Sequence, residues 1–419
     1  MNILLKQAKI IDHPSPFNGK MKDIFIENGY IKAIEDHLSI DGVTEVSSSS
    51  LHVSLGWVDI KSSFGDPGFE HKETIESGLD TAASGGFTHV FTLPTTHPIC
   101  DNKTIVEYQL TKAFAHTVQL HPMGSITKGM NGNELAELHD MMQAGVRLFS
   151  DDTHSLNAGM LHRVMLYAKN VGAKVCLTIR DEYLAKNAVV NEGNASTRTG
   201  MKADPSISEV LQLEKIIRLL EYTESSAHIS GVSCKESIDL IKNAKKKGIS
   251  ITCDVNLMNV IFTEDDVLNF DNLMKVLPVL RTKEDKTQII AALEEGVIDV
   301  IASDHRPVDA EEKELEFDHA AFGCFQLQTV FSALNTYTNI PLETLINLLS
   351  ARPRSVGEIE TSSINIGQKA DLTLFDPIVK NIFSKDTLVS RHAYSPFLNK
   401  SLNGKVVGII RGADFMLLD

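Results

Sequence analysis

Polar and ionisable residues stand at the ends of a series of apolar runs. Asp59 and Lys61 close "GWVDIK", Thr95, Thr96 and His97 follow "HVFTLP", and Asp151 and Asp152 follow "VRLFS". Further along, Ile179, Arg180 and Asp181 follow "KVCLT", Ser230 and Gly231 follow "SAHI", and Asp304 and His305 follow "VIDVIAS". A hydrolytic zinc site needs about three to five ligands, with one position left open for water. Here only His97 and His305 lie near run ends, with Asp152 and Asp304 as oxygen donors. His228 sits early in its run and reads as a hydrogen-bonded core or rim histidine. On residue types alone a catalytic metal is not supported. The Asp151-Asp152 pair reads either as an acid/base dyad or as the acidic opening turn of a following helix. No GxSxG elbow is present. The five cysteines are scattered and never spaced as CxxC, so neither a disulfide framework nor a thiolate zinc site is indicated.

The elements that must hold these groups follow from one recurring unit over residues 53–350: an amphipathic helix, a glycine, then a short apolar strand. "LYAKNVGAKVCLTI" and "IKNAKKKGISITCDV" are examples. The glycine suits the left-handed position that ends a helix, and continuous apolar strands suit a parallel sheet buried on both faces. Eight such strands, beginning with "HVSLGWVDI", favour a (β/α)8 TIM-like barrel over an open doubly wound sheet. No GxGxxG follows the first strand. Residues 1–52 and 366–419 instead alternate in the manner of exposed strands, which predicts a small β-sandwich domain built from both chain ends, with 53–365 as the barrel.

With 419 residues, 42% hydrophobic and 23% charged, the chain has ordinary globular composition. A formal net charge of −15 disfavours nucleic acid and anionic membranes. The absence of a basic, apolar leader and of any run of about 18 apolar residues makes the cytoplasm the expected location.

"DPGFEHKETIESG", "LPTTHP", "FSDD", "VSCKES", "IASDHRP" and "GQKADLTLFD" together resemble the dihydroorotase family of the amidohydrolase superfamily, of the type associated with aspartate transcarbamoylase. The resemblance covers essentially the whole chain and implies a cyclic-amide hydrolase using zinc. Carried over position by position, it places the metal-binding histidines on Lys61, Ser63, Ile179 and Gly231. The substrate contacts fall on Gly65, Thr95, Leu277 and Val308. Only Asp152, a family metal ligand, and Asp304, a ligand and general base, remain. The resemblance therefore implies a vestigial pocket with no bound metal, in which Lys61, or Arg180 as a second candidate, supplies positive charge to the two carboxylates.

The leading expectation is a catalytically inactive subunit, part of an oligomer, that supports aspartate transcarbamoylase in pyrimidine biosynthesis. Two alternatives stand beside it: an active dihydroorotase or related cyclic amidohydrolase with a rebuilt or single-metal site, and a self-assembling non-catalytic scaffold.

Overall fold

The computed structural model describes residues 2–418. The repeating unit builds as the glycines require. The helix Ala158–Val171 opens on the Asn157 side chain and ends at Gly172, whose φ of 75° turns the chain into the strand Lys174–Thr178. Lys283–Glu295 likewise runs from a Thr282 capping box to Gly296 at φ 77° and delivers Val300–Ala302.

Three parallel strands, Trp57–Ser62, Phe87–Thr92 and Gln119–Pro122, pair in chain order. Five more, Leu148–Ser150, Lys174–Thr178, Ala227–Ser230, Ile251–Asn256 and Val300–Ala302, do the same. Parallel bridges from Gly124 to Phe149 and from Ser62 to His305 join the two sets into a ring. Val58, Ile60, Phe91, Met123, Leu148, Cys176 and Val300 fill its interior, so the barrel is a packed core with its chemistry confined to the strand ends. All five cysteines are buried and unpaired, and burial pushes the Cys176 thiol up to about 12, which suits inert core thiols.

The two chain ends meet in one continuous eight-stranded sheet. In it Asp371–Phe383 pairs with His52–Leu55, which pairs in turn with Asn2–Ile11. The run "HVSLGWVDI" is accordingly not one strand. Its first half, His52–Leu55, pairs within the chain-end sheet, and its second half, from Trp57, pairs within the barrel. A side chain at Gly56 would meet Thr88 Oγ1 at 2.1 Å and Asp371 Oδ1 at 2.2 Å, so only glycine lets the chain cross there. No helix among the described residues is long and apolar enough to cross a membrane.

Candidate functional site

Asp152 and Asp304 leave the strands Leu148–Ser150 and Val300–Ala302 and are both buried at the barrel mouth. Each has a positive φ, 51° and 49°. These backbone conformations are uncommon for non-glycine residues and are maintained here by the surrounding structure.

The cation that meets both carboxylates is Arg306. Its Nη1 and Nη2 donate to the two oxygens of Asp152 at 2.9 and 2.5 Å, and its Nε donates to Asp304 Oδ1 at 2.8 Å. This is a planar fork on one carboxylate with its third edge on the other. Burial alone would raise the Asp152 carboxyl, but the charge and hydrogen bonds of Arg306 hold it below its ordinary value. Burial would likewise lower Arg306, and the two carboxylates more than reverse that.

Lys61, on the strand Trp57–Ser62, is buried and reaches across the mouth. Its Nζ lies 3.7 Å from Asp304 Oδ1 and donates to Asn256 Oδ1 at 3.2 Å. Asn256 is held in turn by its Nδ2 bond to the Leu277 carbonyl at 3.0 Å.

The remaining predicted positions surround this ion cluster without adding to it. The Ser63 hydroxyl pairs with that of Thr95 at 3.3 Å. Ile179 is an apolar core residue and Val308 is buried. Gly231 has φ 76° and donates its N–H to Asp254 Oδ1, and a Cβ placed on it would sit 3.6 Å from Lys61 Nζ. A Cβ on Gly65 would lie 2.2 Å from the Phe69 carbonyl oxygen, so an arginine could not return there without moving backbone.

Several expectations are corrected. Arg180 does not reach the mouth carboxylates: it bonds Asp204 at 2.6 Å and the Ala185 carbonyl. Asp151 is no partner of Asp152, because its carboxylate accepts from the backbone N–H groups of Ile126 and Thr127 and from the Thr127 hydroxyl. Nor does it open a helix, since the next one starts at Ala158. His305 faces away from the carboxylates. Its Nδ1 accepts backbone N–H groups of Gln326 and Leu327, and its Nε2 lies 3.5 Å from the buried Glu73. His97 is exposed. His228 is a buried core histidine bonded to Asp254 and Thr252.

Arg306 is the functional residue that the sequence reading passed over, although "IASDHRP" contains it. The available signal was proximity in sequence: Arg306 lies two residues after Asp304, just past the end of the strand Val300–Ala302, although the left-handed φ of Asp304 that turns the chain there is not visible in the sequence.

The chain matches the family described as Dihydro-orotase-like over residues 52–237. It is 36% identical over 415 residues to the dihydroorotase of Thermoanaerobacter sp. (strain X514), covering 97% of this chain and 95% of that protein. It is 35% identical over 418 residues to the dihydroorotase of Geobacter metallireducens, with 98% of each covered. The chain belongs to the dihydroorotase family. Among solved structures, the L-hydantoinase (dihydropyrimidinase) of Arthrobacter aurescens superposes with a TM-score of 0.86 at 20% identity, covering 100% of this chain and 97% of that one. The dihydropyrimidinase of Brevibacillus agri gives 0.83 at 18%, covering 100% and 95%. These two show the shared fold.

Enzymes of this dihydroorotase superfamily are typically zinc-dependent. The residues present here do not fit that ion. Of the ligand set that the resemblance implies, two carboxylates are present, and three of their four oxygens already accept from Arg306. Among the described residues, the only group of three side chains able to ligate a metal together is Glu316, Asp318 and His319, on an exposed turn outside the mouth.

Proposed function

We propose that this member of the dihydroorotase family is non-catalytic and is retained for assembly, with aspartate transcarbamoylase as the partner, in pyrimidine biosynthesis. One observation carries the loss of catalysis: the Arg306 guanidinium is hydrogen-bonded to both surviving ligand carboxylates, so the charge that a metal would neutralise is neutralised by the chain itself. With Lys61, Ser63, Ile179 and Gly231 in place of imidazoles, nothing at the mouth activates water. Purified protein should contain no stoichiometric zinc and should neither hydrolyse nor form dihydroorotate above background. One or two tightly held metals per chain together with turnover would overturn this reading.

The second reading, an active cyclic amidohydrolase with a rebuilt site, is favoured by the names of relatives that are 36% and 35% identical over nearly the whole chain. It requires Arg306 to leave Asp152 and Asp304, so turnover should then be accompanied by zinc uptake.

The partner rests on the family resemblance. Co-expression with aspartate transcarbamoylase should give a defined assembly with contacts of at least about 1,000 Å², formed with or without added metal. Separate migration at micromolar concentration, with this chain alone forming a homo-oligomer, would replace the subunit reading with the self-assembling scaffold.

A further inference from the structure

A second cluster of ionisable groups lies where the barrel meets the β domain, around a cavity of about 520 Å³. Its floor is a hydrogen-bonded chain. Asp371 Oδ2 receives His89 Nε2 at 2.9 Å, and His89 Nδ1 faces His121 Nε2 at 2.9 Å. Arg354 also donates to Asp371 Oδ2, at 2.7 Å. The charge of Arg354 is among the causes that hold the Asp371 carboxyl far below its usual range against the effect of burial, so it is ionised. Burial keeps both imidazoles neutral.

These states fix the tautomers. An ionised Asp371 can only accept, so His89 carries its proton on Nε2 and offers the Nδ1 lone pair to the Nε2–H of His121. His121 Nδ1 is left as a bare acceptor. It has no hydrogen bond among the described residues, and His121 lines the cavity. Phe91 and His89 both stack against the His121 ring, which leaves its edge as the binding element.

The walls are cationic. Arg147 bonds only the Glu358 carbonyl and keeps spare donors, and the Lys369 ammonium has no hydrogen bond or ion pair among the described residues. Arg411 lines the same space. Against these stand Asp371, already paired, and Glu360.

We propose that this cavity binds an anion that still carries a proton, namely a phosphate group with one O–H, held by Arg147 and Lys369 and donating that O–H to His121 Nδ1. Sulfate has similar size and shape but no proton at neutral pH, so the lone pair would repel it. One bound phosphate would also link the barrel, through His121 and Arg147, to Lys369 beside the β-domain strand Asp371–Phe383.

Calorimetric titration of the full chain with inorganic phosphate and with sulfate at pH 7 tests this. Phosphate should bind about tenfold tighter than sulfate or better, equivalent to about 1.4 kcal/mol. His121→Phe should abolish that preference. Replacing Arg147 and Lys369, both at the exposed rim, with alanine should weaken both anions about tenfold or more without affecting the fold. A simple phosphate monoester has a second pKa of about 6 and is mostly without an O–H at pH 7, so it should bind weakly, as sulfate does, and binding as tight as that of inorganic phosphate would overturn the role of the donated proton. Equal binding of phosphate and sulfate, phosphate binding unchanged in the Arg147/Lys369 variant, or no binding of either anion would overturn the proposal.

Discussion

At the barrel mouth, Asp152 and Asp304 are buried against Arg306 and Lys61, with no imidazole hydrogen-bonded to either among the described residues; at the junction with the β domain, Asp371 is buried against Arg354 and a chain of two histidines. The chain has 15 histidines, so these two carboxylates go without one through placement rather than scarcity. Both regions satisfy the same demand, since a buried carboxylate must be compensated by charge and hydrogen bonds. They differ in what is left over. The guanidinium at the mouth uses its fork on Asp152 and its third edge on Asp304. The histidine chain at the junction leaves one basic nitrogen facing a cavity.

The largest effect that separates the two regions should come from removing each arginine. Arg306→Met leaves Asp152 without its bonded cation and Asp304 with only Lys61 at 3.7 Å, and should destabilise the fold by about 3–5 kcal/mol in urea melts. Arg354→Met should fall toward the low end of that range, because Asp371 keeps His89. Equal losses would mean that the number of carboxylates held by each arginine does not matter. Adding Asp152→Asn and Asp304→Asn to the Arg306 variant should recover much of the loss, since the uncompensated charge is then gone.

Lys61→Met should cost less, about 2 kcal/mol, because Asp304 retains Arg306 and the lost contacts are one ion pair at 3.7 Å and one hydrogen bond to Asn256. An unchanged urea midpoint would demote Lys61 to a bystander and leave Arg306 as the sole cation of the site.

The smallest effect is the slope of stability in acid. Asp152 at the mouth, Asp254 within the strand Ile251–Asn256 and Asp371 at the junction are all held below the ordinary value, in each case because nearby charges and hydrogen bonds outweigh burial. Asp23 and Asp376 in the β domain are lowered from 3.8 to about 2, where hydrogen bonds, including that from Lys6 to Asp23, outweigh burial. A carboxyl lowered on folding contributes fully above its unfolded value, and that contribution is lost as pH falls through the folded one. Stability should therefore fall from about pH 4 toward about pH 2. Asp12, Asp59 and Asp151, which burial pushes up, act in the opposite sense and should flatten the curve just above that window. Urea midpoints measured across this range check the sign, and a rise on acidification below pH 3.8 would contradict it.

The fold was largely legible because its signals are local. A glycine after a helical stretch, as at Gly172 and Gly296, and an apolar run after it need only a few neighbouring residues to be read. The first strand was misjudged where this locality failed. Nothing near "HVSLGWVDI" says that Gly56 passes between Thr88 and Asp371, residues 32 and 315 positions away in the chain.

The site divides along the same line. That no imidazole can come from positions 61, 63, 179 and 231 is a covalent fact, settled by the sequence before any folding. Which cation takes over the carboxylates was decided only in three dimensions. Arg180 and Arg306 both follow barrel strands, yet one turns to Asp204 and the other spans 154 positions of chain to reach Asp152. His305 likewise turned to Glu73, and His121 came to face a cavity, for reasons that no local pattern holds. Coulomb attraction and hydrogen bonding act over a few ångströms with strict direction, so the partner of a buried charge is determined by where the closed barrel puts each side chain.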